Sequence, residues 1–404
     1  MNSATRGPLA ALAVLGFLLM LHYGLLCVCV DSLFLRHYHS DRLTHVWLLT
    51  ACFTLAAVHL YNRVNHRTRV ITLLGIAGIS TGVLNLALLA AYGAGWSGAV
   101  FALKAWKDTY IIVLVQMFWS FAALIFSFDK AKRTYGWLLA VGTIGTLTGH
   151  AVAGMLVSRV GTHAMAWWSL PALAACAGPA WHLWRTGHEG MPPPRDPARV
   201  STSFHVVWRS RYLFPLLLLM LVAKTSITFL DYEFNAFVQQ TYPDTDARTA
   251  FTGNIRVLIT ALAAALQLGF APLIQGLGLG AVFASVPILM GASMLAHMAT
   301  AAITVASVYV SGKTLDYSLL RLGRELLYVK LNRDEKTKGK ACIDVLIFRL
   351  SKGGSALLLM ALLHVGADTY IPHAVILLQL LWFALALVIV RRWAADSRID
   401  RIIR

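Results

Sequence analysis

Between Lys313 and Ser355 the chain reads KTLDYSLLRLGRELLYVKLNRDEKTKGKACIDVLIFRLSKGGS, and its ionisable residues have the types and spacing to do chemistry. Lys313, Asp316, Arg321, Arg324 and Glu325 precede a polar loop, Asp344, Arg349 and Lys352 follow it, and long apolar runs flank the whole stretch. Charges in that setting fall at membrane depth. Each costs about 2.5–3.5 kcal/mol on insertion scales, so it faces a cavity or a partner and marks a pathway. A helical hairpin with this many charges points to the passage of a charged solute.

Helical periodicity groups further polar residues. Lys104, Asp108 and Gln116 recur at multiples of four and fall near one stripe with Trp119, so Lys104 and Asp108 can pair directly. Lys313 and Arg324 are eleven positions apart, close to three turns, which places them on one face of a continuous α-helix. The run near 212–238 adds Lys224, Asp231, Glu233 and Asn235. For Lys104, Glu233, Arg321 and Glu325, snorkelling to the headgroups is an equal alternative to a buried role. For Lys224, Asp231, Asp316 and Arg324 we read a cavity or inter-helix role.

The elements that must position these residues follow from composition. Of 404 residues 58% are hydrophobic and 13% are charged, where a water-soluble chain carries about a quarter. Apolar runs long enough to cross a bilayer recur from end to end, so the expected fold is an all-α polytopic membrane protein. Twelve spans are expected, near 8–30, 44–61, 70–91, 98–127, 135–158, 163–184, 212–238, 249–274, 279–299, 300–328, 341–365 and 370–391. The proline-rich polar segment 185–211 separates an N-terminal six-helix bundle, 1–184, from a C-terminal one, 212–404. Six spans plus six joined by such a linker is the ground plan of major facilitator transporters, whose substrate site lies between the halves near the midplane. Glycines in the fifth and eleventh spans, including Gly145, Gly149, Gly353 and Gly354, allow close helix contact.

The first run, Leu9 to Val30, exceeds the length of a signal-peptide core and lacks a small-residue cleavage site, so it reads as an uncleaved span. The net charge of +17 does not indicate nucleic-acid binding, because Lys and Arg concentrate in alternate loops. That bias places both termini and the linker in the cytoplasm.

Several local patterns carry no chemistry. Gly78-Ile-Ser80-Thr-Gly82 matches a nucleophile elbow but lies inside a span, where no strand-to-helix turn presents the serine. Ser311–Thr314 reads SGKT, but Ser307 stands where a phosphate-binding loop has its first glycine. His37, His39 and His45 read as solvated loop residues, and the five cysteines show neither a disulfide framework nor ligand spacing. No cofactor, metal or enzymatic activity is expected.

The run DYSLLRLGRELLYVKL followed by EKTKGKACIDVLIFRLSKGGS resembles the ATP/ADP translocase-like nucleotide transporters of plastids and intracellular bacteria. Weaker echoes are LVQMFWS at Leu114–Ser120, FDKAKRTYGW at Phe128–Trp137 and LDYEFNAFVQQTYPD at Leu230–Asp244. The resemblance implies carriage of an anionic nucleotide, often by strict exchange, in a bacterial inner membrane. It puts Arg324 and Glu325 on the family's basic–acidic pair and Asp231 on its acidic residue in span 7. Asn235 stands where the family has a lysine, and Gln116 where it has an acidic residue. At Cys27-Val-Cys29-Val30-Asp31 only the aspartate of the family's charged motif is kept.

The cations remaining for an anion are Lys104, Lys224, Lys313 and Arg324, with Arg349 and Lys352 if they face inward. In the leading reading Arg324 and Lys313 hold the anion, with Lys224 across the interface. Asp231 and Asp316 pair with those cations when no anion is held. Asp31, Asp108, Gln116, Asn235 and Asp344 complete the lining. The loops at DKAKR and NRDEKTKGK are read as cytoplasmic latches, or equally as plain positive-inside anchors. Two alternatives stay open: a proton-coupled carrier of another organic anion, with Asp108 or Asp231 taking the proton, and a non-transporting membrane scaffold.

Overall fold

The computed structural model describes residues 3–64, 68–126, 128–186, 207–210, 213–300, 302–328 and 340–395. Among them the regular elements are helices: α1 Ser3–His37, α2 Leu43–Val64, α3 Val70–Gly93, α4 Gly98–Ile125 and α5 Phe128–Val160. Three short helices follow, α6 Thr162–Trp167, α7 Ser169–Ala175 and α8 Ala177–Thr186. Beyond the linker come α9 Leu213–Thr241, α10 Thr245–Leu268, α11 Phe270–Ala299, α12 Val305–Leu315, α13 Arg321–Leu327, α14 Lys340–His364 and α15 Ile371–Ala395. A π-helical turn, Asp316–Leu320, joins α12 to α13.

Nine of these helices are long and apolar enough to cross a bilayer. Taking α6–α8 and α12–α13 as single broken passes and adding α14 gives the twelve spans the hydropathy requires. Large apolar side chains such as Ile79, Trp137, Leu268 and Leu377 point outward, as a lipid-facing surface demands.

The apolar runs form helices because a backbone in hydrocarbon must satisfy every N–H and C=O within its own segment. The breaks between them have local causes. After α3, Gly95 takes φ 97° while its N–H bonds the Tyr92 carbonyl and that of Trp96 bonds Ala91. This is the left-handed cap that closes a helix, and Gly366 repeats it after α14. The break expected between 274 and 279 is present at Gly278, φ 80° and ψ 153°, inside α11, and an additional one precedes it at Gly269.

Two compact units make up the chain. The first is Met1–Arg42, Leu49–Arg195 and Val238–Val257; the second is Leu43–Leu48, Asp196–Phe237 and Leu258–Arg404. In the first, α1 is apolar on all sides and correspondingly buried, with Leu12, Leu26, Val28, Cys29, Val30 and Phe34 shut off from the surface. It packs along α5 through Gly24, Gly145 and Gly149. A Cβ on Gly149 would lie 2.7 Å from the Leu21 carbonyl oxygen and 2.9 Å from the Gly24 Cα, so only hydrogen fits that seam. In the second unit α11, α12 and α15 bury Phe283, Val286, Met290 and Trp382.

Candidate functional site

In the first unit the close α1–α5 contact carries the end of α1, and with it Asp31, into a group of cations. Lys104, Lys107 and Asp108 lie at i, i+3 and i+4 on α4, so all three project from one side of that helix. Lys104 and Lys107 donate to the same carboxylate oxygen of Asp31, Oδ1, at 2.5 and 2.7 Å. The Arg256 guanidinium, from α10, donates to Oδ2 at 2.7 Å. Asp108 lies 3.1 Å from Lys107 and 3.9 Å from Lys104. Three cations thus share two carboxylates, leaving a formal surplus of one positive charge in a group whose lysines are almost fully buried. The Cys27 thiol, one turn before Asp31, lies 3.4 Å from the Lys107 ammonium.

In the second unit the charges pair one to one. Lys313 donates to Asp231 and Lys224 to both oxygens of Asp316, the latter at 2.6 and 2.9 Å. The Lys313 ammonium also lies 5.6 Å from the centre of the Tyr309 ring, which stacks on Phe234 at 3.9 Å. A cation over an aromatic face keeps part of the stabilisation it loses on leaving water. Thr225 bonds Ser355, and Gln379 donates to Ser226, so polar side chains on α9 next to Lys224 are satisfied within the unit.

The expected residues are placed unevenly. Lys104 is buried in an ion-pair group, so it does not snorkel, and it lies 3.9 Å from Asp108 as its spacing suggested. Gln116, two turns further along the stripe, is exposed and stands apart from that group. Asn235 is half-buried and donates to the backbone carbonyl of Asp231 at 2.6 Å, a contact within α9. Arg324 contacts Glu325 at 3.3 Å.

Arg324 does not share a face with Lys313. The π turn at Asp316–Leu320 inserts the equivalent of one extra residue and slips the helical phase by about 100°. The eleven-residue spacing therefore loses its meaning, because it assumed an unbroken α-helix.

Lys352 lies half-buried with its ammonium 4.6 Å from the centre of the Trp47 ring. The side chains of Asp344 and Arg349, the DKAKR side chains, the NRDEKTKGK loop and most of the linker lie outside the described residues. Among the described residues no three His, Cys, Asp or Glu side chains gather closely enough to hold a metal.

Sequence reasoning missed two members, Lys107 and Arg256. Both carried a signal: each is a cation inside an apolar span, where a charge without a role is expensive.

Comparison with known proteins places these observations. A family model described as TLC ATP/ADP transporter matches residues 276–398. The chain is 26% identical over 343 residues to ADP,ATP carrier protein 1 of Chlamydia trachomatis, covering 72% of this chain and 64% of that protein. It is 24% identical over 303 residues to the plastidic ATP/ADP-transporter of Solanum tuberosum, covering 65% of this chain and 47% of that one. The chain thus spans less than two thirds of the length of both relatives. Among solved structures, the nucleoside transporter NupG matches over 97% of this chain and 99% of its own, with TM-score 0.69 at 11% identity. A bacterial homologue of the iron transporter ferroportin, in its inward-facing state, matches over 98% and 100% with TM-score 0.70 at 12% identity. Identities this low speak to the fold alone. The chain is thus similar in sequence to ATP/ADP translocases and folds as a twelve-helix, multi-pass membrane protein of the architecture seen in those transporter structures.

Proposed function

We propose that this protein is a secondary carrier that exchanges an anionic nucleotide of the ATP/ADP class by alternating access across a bacterial inner membrane, with both termini cytoplasmic. The observation that carries the reading is the convergence of Lys104, Lys107 and Arg256 on one buried carboxylate. A nucleotide brings about three or four negative charges into a low-dielectric site and needs several cations there, at least one offering the forked donors of a guanidinium. Lys107 and Arg256 supply, from α4 and α10, positive charge that the sequence lacks at the end of α1.

Proteoliposomes test the exchange. Vesicles loaded with ADP should accumulate labelled ATP, unloaded vesicles should not, and a pH gradient should leave the rate unchanged. Uptake that ignores internal nucleotide overturns the reading.

One observation favours a second reading, a proton-coupled carrier of a smaller organic anion. Lys224 and Lys313 are each matched by a carboxylate, and the surplus in the first unit is a single charge. That balance suits a solute with one or two negative charges. Uptake that collapses with the pH gradient selects this alternative.

A further inference from the structure

Asp31 is an unusual member of its own cluster. A carboxylate that merely staples helices together needs one good cation, because each further buried ion adds a desolvation cost. Asp31 has three, and they divide between its oxygens: both lysines on Oδ1, the guanidinium on Oδ2. Donors closing on a small anion from several sides make the arrangement that holds a phosphate group. The second carboxylate nearby, Asp108, lies 3.1 Å from Lys107 and 3.9 Å from Lys104.

His150 adds an independent mark of a ligand. It is 5% exposed, yet neither ring nitrogen has a hydrogen-bond partner among the described residues. Its backbone packs against Gly253 of α10, about one turn before Arg256, and against Gly24 of α1, about two turns before Asp31. A buried imidazole with both nitrogens unused is costly unless something else bonds it.

We propose that Lys104, Lys107 and Arg256 form a phosphate subsite and that Asp31 is its resident competitor, holding the place a substrate phosphate takes. The inference rests on the reading of the protein as a carrier of phosphate-bearing anions, and it adds a device that regulates their affinity. The incoming phosphate displaces Asp31 from the three cations, with His150 supplying a further donor. When the anion leaves, the carboxylate returns and the buried cations are not left bare. Affinity is then a difference between two anions competing for one set of donors, which keeps binding weak enough for release.

The test is binding of inorganic pyrophosphate, inorganic phosphate and ATP to purified full-length protein, by isothermal titration calorimetry. Asp31→Asn removes the competitor, and the dissociation constant for pyrophosphate should fall at least tenfold. Adding Arg256→Gln should abolish most of that gain. A monodisperse Asp31→Asn protein that binds pyrophosphate no more tightly than the wild type overturns the proposal.

The two readings fail separately. Tighter pyrophosphate binding with no ATP binding in either protein keeps the subsite and rejects the nucleotide. Wild-type ATP exchange with no tightening in Asp31→Asn rejects only the competitor. If Asp31→Asn does not insert, Arg256→Gln alone decides. It leaves Asp31 with both lysines, and pyrophosphate should bind at least tenfold more weakly; unchanged binding overturns the subsite.

Discussion

The Lys224–Asp316 pair should respond very differently to loss of its cation and loss of its anion. The ammonium spans both oxygens at 2.6 and 2.9 Å, but the two side chains are not equally enclosed, with 27% of Lys224 and 5% of Asp316 accessible. Lys224→Met keeps the volume of the side chain and leaves a buried carboxylate without its counter-ion. Stranding a buried charge in this way costs about 3–5 kcal/mol. Asp316→Asn strands an ammonium on a flexible stem that can turn outward, which should cost only about 1–2 kcal/mol.

At roughly 2 °C per kcal/mol, thermal unfolding in detergent should show losses of about 6–10 °C for Lys224→Met and about 2–4 °C for Asp316→Asn. The double variant should be more stable than Lys224→Met alone, because it removes the stranded charge; this requires a coupling above the roughly 1–2 kcal/mol cost of Asp316→Asn, within the limit of about 3 kcal/mol for contacting residues. Equal losses in the two single variants would refute the asymmetry of enclosure. Additive losses in the double variant would refute the pairing itself.

Three further outcomes follow from the packing. Gly149→Ala should lower the melting temperature by an amount equivalent to about 1–3 kcal/mol, since its Cβ meets backbone atoms of α1 that cannot yield; Gly75→Ala, with nothing within 4 Å, should be neutral or slightly stabilising. Gln239 bonds the Leu35 and Tyr38 carbonyls at 2.8 and 2.9 Å and accepts from the Ser40 amide at 2.9 Å. Gln239→Ala should therefore speed hydrogen exchange at Ser40 and cost about 1–3 kcal/mol, whereas unchanged exchange there would show that the contact does not hold the loop. Tyr309→Leu should cost about 1–3 kcal/mol by removing the ring between Phe234 and Lys313, while Tyr309→Phe, which keeps both ring contacts, should lose less in the same melting assay.

What the sequence disclosed depended on how local the controlling interaction is. Spans were legible because twenty apolar residues in a row answer to one constraint, that of the bilayer, and that constraint reads off a window. Lys104 and Asp108 were legible because four residues is one turn. The π turn was not, since nothing in Asp316–Leu320 departs from an ordinary helical composition, and one added residue was enough to part Lys313 from Arg324.

Arg256 is the sharper case. Its partner Asp31 is 225 positions away, so no periodicity connects them, and the arginine looks like an isolated charge in RVLITALAAALQLG. Yet its energetic anomaly was visible: a guanidinium inside an apolar span has to be compensated somewhere. The motif at the end of α1 seemed eroded for the same reason, because Cys27 and Cys29 were compared with charges from α1 alone. The requirement a buried carboxylate imposes is cations within about 3 Å, from whichever helix can deliver them. For Asp31, α4 and α10 deliver three. A missing charge in a linear motif is therefore weak evidence for a missing function until every buried cation in the other spans has been given a partner.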